Sequence, residues 1–299
     1  EEILNAELEA QKRHKFDWTS PPLLRFHIYR RSSQTFQFNF SEHHAILDGW
    51  SVATMLTELF ENYFSLLQGE TPTIKLSPGI AFRDFVALQQ TALQSQASHD
   101  YWKQKLKGCM MTRIPREYQP HSATNSAIIA FPVPISDDTA TGLQQLAKIA
   151  KVSLKSVLVA AHIYVLSQLS GQSDVVTIMA SHGRPETTDS DWSLGLFLTP
   201  LPLRMKLSGG TWIDLVQQTF AAEKDLLPHR LYPLAQMQID LGNQRLAETS
   251  VNFTRFHVYE RLQQLSGLQI IDTQGFAMTD FALVAEFSFD VFASQLQLF

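Results

Sequence analysis

The chain has 299 residues, 44% of them hydrophobic and 18% charged, a globular composition long enough for one large core or two. Its formal net charge is −5 and its longest basic run is Lys12-Arg13-His14-Lys15, which argues against nucleic acid as a partner. No apolar stretch is long enough to span a membrane, since the longest, Val157 to Leu166, is interrupted by His162.

The N-terminal Glu-Glu-Ile-Leu lacks a signal-peptide pattern, and residues 2–13 form a polar helix. Phe16 to Ser20 make a turn, and Pro21-Pro22 start a strand through about Arg30. Arg30 to Gln34 is a hairpin-type connection. From Thr35 to Phe40, Phe36, Phe38 and Phe40 alternate with Gln37 and Asn39, which predicts a half-buried strand. A loop with two histidines follows. Val52, Met55, Leu56, Leu59, Phe60, Tyr63, Leu66 and Leu67 then keep the 3.6-residue period of an amphipathic helix, which Gly69 ends. After Pro72 and Pro78, helices are expected at roughly 80–95 and 97–107. Cys109, the single cysteine, excludes an internal disulfide and fits a reducing, cytoplasmic compartment. Gly108 and two methionines surround it, a structural setting. Residues 116–126 are polar and read as a connection between lobes. Beyond it we expect a strand near 127–133, a helix from Asp137 capped by Ser136, a helix over 154–169 capped by Ser153, and a strand over 174–180. Val251 to Tyr259 and Leu283 to Phe287 also read as strands. The fold class is α/β, a sandwich in two successive parts.

The chemistry concentrates in Phe38-Asn39-Phe40-Ser41-Glu42-His43-His44-Ala45-Ile46-Leu47-Asp48-Gly49-Trp50-Ser51. A titratable imidazole on a tight loop between a strand and a helix is placed as a base acting near neutral pH would be. Gly49 fits a position needing positive φ or close backbone approach, and Ser51 reads as the N-cap of the helix. His27, His99, His162, His229 and His257 are scattered without metal-ligand spacing. There is no Gly-rich phosphate loop, Gly-x-Ser-x-Gly elbow or activated cysteine, so neither a metal nor a covalent enzyme intermediate is expected.

The His-His-x-x-x-Asp-Gly loop resembles the signature of condensation domains of non-ribosomal peptide synthetases, within the superfamily of chloramphenicol acetyltransferase. Further segments carry the resemblance along essentially the whole chain: Phe16-Asp17 with Pro22-Leu23-Leu24-Arg25; Phe82-Arg83-Asp84-Phe85 with Gln89; Asp100-Tyr101-Trp102; Gly183-Arg184-Pro185; Gly195-Leu196-Phe197-Leu198-Thr199-Pro200-Leu201-Pro202-Leu203-Arg204; His229-x-x-Tyr232-Pro233-Leu234; and Val251-Asn252-Phe253. Thr199-Pro200 stands where the family has an Asn-Thr pair. The family begins with motifs upstream of those found here and ends with a further helix, so the chain reads as opening partway through the first lobe and stopping before the last helix.

The resemblance implies a two-lobed α/β sandwich with an active-site tunnel between the lobes. Residues 1–115 are the remainder of the N-terminal lobe, 116–126 the interlobe linker and 127–299 the C-terminal lobe. It implies amide bond formation between an acyl or peptidyl thioester donor and an aminoacyl acceptor. Both are held on phosphopantetheine arms of donor and acceptor peptidyl carrier proteins, with an adenylation domain adjacent and no cofactor bound directly. His44 is then the catalytic residue, as hydrogen-bond acceptor for the amine or as general base. His43 packs or hydrogen-bonds behind it. Asp48 braces the loop by pairing with Arg184, or alternatively Arg25, and the Gly49 amide is a contact for the thioester oxygen or a plain turn. Trp50, Ser51, His182 and Asn252 are tunnel-lining candidates. Trp50-Ser51 disfavours an epimerisation relative, and His43 disfavours a heterocyclising one. A stand-alone coenzyme A-dependent acyltransferase and a non-catalytic carrier-protein docking domain are the alternatives.

Overall fold

The alternation of Phe36, Phe38 and Phe40 with polar neighbours produces strand β2 (Phe36–Glu42), paired antiparallel with β1 (Leu24–Arg30) in a register running from Leu24 opposite Glu42 to Arg30 opposite Phe36. The computed structural model describes residues 2–72, 81–116, 129–186, 190–265, 267–277, 279–290 and 295–299. Side chains of a strand alternate between faces, so one face of the hairpin carries phenylalanines. Phe26 meets Phe38 and Phe40 with ring centroids 5.6 and 5.2 Å apart, and Phe38 lies 5.4 Å from Phe60 of helix α2 (Gly49–Leu67). The other face is polar. Tyr29 accepts a hydrogen bond from Gln11 of α1 (Glu2–Arg13), and the Arg25 guanidinium lies 4.8 Å over the Phe16 ring. Together with 186–197 and 265–277, these elements form the first of two units, 1–82.

The second unit comprises 83–185, 198–264 and 278–299. Its mixed sheet has the order β4-β3-β5-β6-β7, with β3 Asp174–His182, β4 Leu198–Lys206, β5 Thr249–Thr254, β6 Leu283–Asp290 and β7 Gln295–Leu298. β3 runs parallel to β5 and antiparallel to β4. Being central, β3 is buried on both faces and reads as a continuous apolar run. Val175 and Met179 enter the main core, while Val176 and Ile178 pack with Ala247 on the opposite face. β4 is an edge strand, which is why it accommodates Pro200 and Pro202, residues without an N–H to give to a ladder. Helix α6 (Leu154–Ser170) supplies Leu158, Val159, Ile163 and Leu166 to the main core, α4 (Gln96–Lys105) supplies Trp102, and α7 (Trp212–Leu226) supplies Leu226. α3 (Phe82–Leu93), α5 (Asp137–Ala150) and α8 (Leu234–Asp240) complete the helices; Ser136, Ser153 and Thr211 cap α5, α6 and α7 with their side chains. Gly171 ends α6 in the left-handed region at φ 67°, where a residue without Cβ is at no disadvantage. No single helix among the described residues is long and apolar enough to cross a membrane.

Two expectations need correction. The strand expected near 127–133 reduces, over its described residues 129–133, to one bridge between Val133 and Leu298. The strand expected from Val251 to Tyr259 stops at Thr254, and His257–Gln264 winds into a 3₁₀ helix that buries Val258 and Leu262; an apolar position at every fourth residue was the neglected signal. The expected 116–126 connection lies outside the described residues except Arg116, whose guanidinium donates to the buried Glu248 carboxylate at 2.8 Å. By compactness alone the chain groups into units that run across positions 115 and 127. α4 and nearly all of α3 pack in the second unit, whereas 186–197 and 265–277 pack in the first, because packing follows apolar faces rather than chain order.

Candidate functional site

The loop between β2 and α2 is fixed by its polar side chains. Asp48 is the N-cap of α2: its Oδ1 accepts from the Ser51 N–H at 2.7 Å, filling one of the open donors of the first turn. Its Oδ2 accepts from the Phe197 N–H at 3.0 Å, and its own N–H donates to the Gly195 carbonyl at 3.0 Å. Asp48 is 4% exposed, so the charge is compensated by backbone dipoles at short range. Ser51, fully buried, donates through Oγ to the Gly195 carbonyl at 2.8 Å and accepts from the Gly195 N–H at 3.0 Å. The Trp50 indole N–H donates to the Asp191 carbonyl at 3.0 Å. The loop and the first turn of α2 are thus stitched to 191–197, a segment about 145 residues away in the chain, through backbone atoms of the partner segment.

Two readings of this loop are corrected. Ser51 is not the N-cap; it lies three residues into the helix, and Asp48 takes the cap because its carboxylate reaches the free N–H groups from an extended backbone, φ −93° and ψ 169°. Gly49 is the first residue of α2, with a right-handed backbone and no need for positive φ.

His44 stands on the outer side of the loop, its side chain 62% exposed, with Nδ1 2.9 Å from Oε1 of Glu42. That hydrogen bond raises the imidazole pKa above its usual 6.5; burial works against it, and the charges of Glu42 and Asp48 add to it. His43 turns the other way. Its Nδ1 accepts from the Ala45 N–H at 3.1 Å, and its ring meets Trp18 at 4.6 Å and Phe16 at 6.3 Å.

The remaining expected residues lie in the second unit. Arg184 is 5% exposed, just beyond the end of β3, and His182 is the last residue of that strand, paired with Leu198. Asn252 on β5 donates through Nδ2 to the Glu286 carboxylate at 3.1 Å, and burial raises the Glu286 pKa. Arg25, the alternative partner for Asp48, instead faces Phe16, and its Nε and Nη2 are buried without a hydrogen bond.

Sequence reasoning passed over three participants. Glu42 precedes His44 by two residues, and a carboxylate so placed at a strand end is the signal that points to it. Gly195 belongs to a motif, but nothing in the sequence marks its close packing: a Cβ there would collide with the Phe82 ring. The Phe197 N–H leaves no trace in sequence at all. Another constellation is structural. Tyr101 stacks on His229 at 4.0 Å, Trp102 donates to the His229 carbonyl at 3.1 Å, and Ser98 meets His229 Nδ1 at 3.0 Å. Tyr101 also donates to Asp225 at 2.6 Å, and burial raises its phenol pKa. Among the described residues, no group of three or more His, Cys, Asp or Glu side chains is placed to hold a metal ion.

A two-unit α/β fold carrying His-His-x-x-x-Asp-Gly on a clamped loop defines the class. The chain belongs to the Condensation domain family, which matches residues 1–296. It is 34% identical over 254 residues to the AMB antimetabolite synthetase AmbE of Pseudomonas aeruginosa, a match covering 85% of this chain but 12% of that protein. Among solved structures, it resembles the X-domain from teicoplanin biosynthesis, with TM-score 0.80 and 17% identity, over 100% of this chain and 70% of that one. It also resembles the first condensation domain of the calcium-dependent antibiotic synthetase in complex with a substrate analogue, with TM-score 0.75 and 17% identity, over 100% and 68% of the two chains. The chain therefore spans a small part of its curated relative and about two thirds of these structural relatives.

Proposed function

We infer that this chain forms amide bonds between carrier-bound substrates in a non-ribosomal peptide synthetase acting in the cytoplasm. One peptidyl carrier protein presents an acyl or peptidyl thioester on its phosphopantetheine arm, a second presents an aminoacyl thioester, and an adenylation domain lies next in the assembly. The amine attacks the donor carbonyl; the C–N bond forms as the C–S bond breaks, and the proton lost by nitrogen balances the released thiolate. His44 receives the amine N–H as hydrogen-bond acceptor, a role suited to an imidazole near neutral pH. Holding two tethered reactants in register can supply about 7–11 kcal/mol of the barrier, so the clamp on the loop matters as much as the base. The observation that carries this reading is the intact loop of a Condensation-family chain, with His44 exposed and the backbone under it held by Asp48 and Ser51. Pairing of Asp48 with Arg184 remains part of the proposal; a double-mutant cycle on stability measures it, and a coupling energy of zero removes it.

The test loads donor and acceptor onto carrier proteins and follows amide product. His44→Ala lowers the rate by about 10²–10⁴-fold. Unchanged product formation overturns the catalytic assignment and favours a docking domain, whereas equal turnover of free coenzyme A thioesters favours a stand-alone acyltransferase.

A further inference from the structure

Glu42 ends β2 with a carboxylate that is buried for its charge, 13% exposed, beside an imidazole that is 62% exposed. Oε1 meets His44 Nδ1 at 2.9 Å, and Oε2 is buried with no hydrogen-bond partner. A carboxylate in such a place is unfavourable unless a charged or strongly polarised donor compensates it, and the His44 N–H is that donor. The geometry also determines the tautomer. A carboxylate only accepts, so the ring proton sits on Nδ1, and the Nε2 lone pair, which makes no hydrogen bond among the described residues, is left for a substrate.

We propose that Glu42 is a positioning residue: it holds His44 in the Nδ1–H tautomer, aims bare Nε2 outward, and steadies the positive charge the ring acquires when it takes a proton from the attacking amine. The proposal rests on the reading of His44 as the group that meets the amine, and it identifies what sets that group's protonation. Among the described residues, the titratable groups near the ring come from three places. β2 contributes Glu42; the loop contributes His43, which faces Phe16 and Trp18; and the start of α2 contributes the charge of Asp48, which is engaged with the Ser51 and Phe197 N–H groups. Glu42 is the one of these in hydrogen-bond contact with the His44 ring.

The experiment labels histidine with ¹⁵N and ¹³C in the whole chain and follows His44 by NMR through its titration, in wild type, Glu42→Gln and Glu42→Ala. In wild type the neutral ring carries its proton on Nδ1. In Glu42→Gln, whose amide oxygen still accepts, the tautomer persists while the titration midpoint moves to lower pH. In Glu42→Ala the proton redistributes toward Nε2. Amide formation then falls on the order of tenfold in Glu42→Ala, and the acid limb of the rate profile moves to lower pH in Glu42→Gln. A neutral wild-type His44 protonated on Nε2, or a titration unmoved in Glu42→Gln, overturns the proposal. The spectra report on Glu42 without turnover, and the His44→Ala assay reports on the catalytic reading, so either can fail alone. Should Glu42→Ala not fold, the Glu42→Gln titration decides.

Discussion

The two units hold themselves together by different means. In the second, the sheet and helices α4, α6 and α7 bury a continuous apolar cluster in which Ile163, Leu201, Leu203 and Leu226 have no exposed surface. Each such side chain contributes roughly 1.5–3 kcal/mol by leaving water. In the first, Phe26, Ile28, Leu66 and Leu67 remain 43–67% exposed, and the most deeply buried positions of the loop and α2 include Asp48, Ser51 and Thr54. There the geometry is fixed by directional hydrogen bonds into the backbone of 191–197. Apolar packing tolerates small adjustments, whereas a carboxylate seated on two N–H groups has one arrangement. The difference is what a site needs: the loop bearing His44 is specified by orientation, and the core of the second unit by volume.

The comparison can be broken most directly at Asp48. Asp48→Ala leaves two N–H groups unpaired and should lower stability by roughly 3–5 kcal/mol. Hydrogen exchange would rise in α2 and 190–197 while β3 and α6 stay protected; retained protection at the start of α2 would refute the clamp. Next in size is an acid effect confined to the second unit. His162 on α6 is 6% exposed, its Nε2 shares a hydrogen bond with the Thr177 hydroxyl at 3.1 Å, and burial holds its pKa down at about 4. The unfolded chain therefore binds that proton more tightly, and stability, complete above about pH 6.5, declines as pH falls toward 4 by about 3 kcal/mol. Denaturant titrations of His162→Gln should lose that slope between pH 6.5 and 5; an unchanged slope assigns the acid sensitivity elsewhere. Gly195→Ala forces the Phe82 ring to move and should destabilise the first unit by about 1–3 kcal/mol, with the Trp50 fluorescence environment as readout. The smallest effect belongs to Ile28→Ser. Ile28 is 67% exposed, and the change should stay within about 0.5 kcal/mol, against several for a comparable change at Ile163. A large loss at Ile28 would mean that the hairpin face is covered in solution.

Local signals were legible where one residue type serves one purpose. The period of α2, the serine caps of α5 and α6 and the apolar run of β3 all follow from sequence. The loop was legible too, because the further segments stand in the family's order around its His-His-x-x-x-Asp-Gly. What stayed hidden was reciprocal. Ser51 looks like a cap until Asp48 is seen to reach its N–H, and the two backbone amides that meet the Asp48 carboxylate come into view only in the folded chain. Backbone donors carry no letter in the sequence.

By itself the sequence determined the α/β class, which depends on periodicity, and the family, which depends on a resemblance of motifs in a fixed order along the chain. Only the tertiary structure decided which atoms secure the loop, that α4 packs with the second unit, and that Glu42 stands against His44. Each of those depends on which distant N–H, carbonyl or apolar face comes within a few ångströms, and the folded chain alone sets that distance.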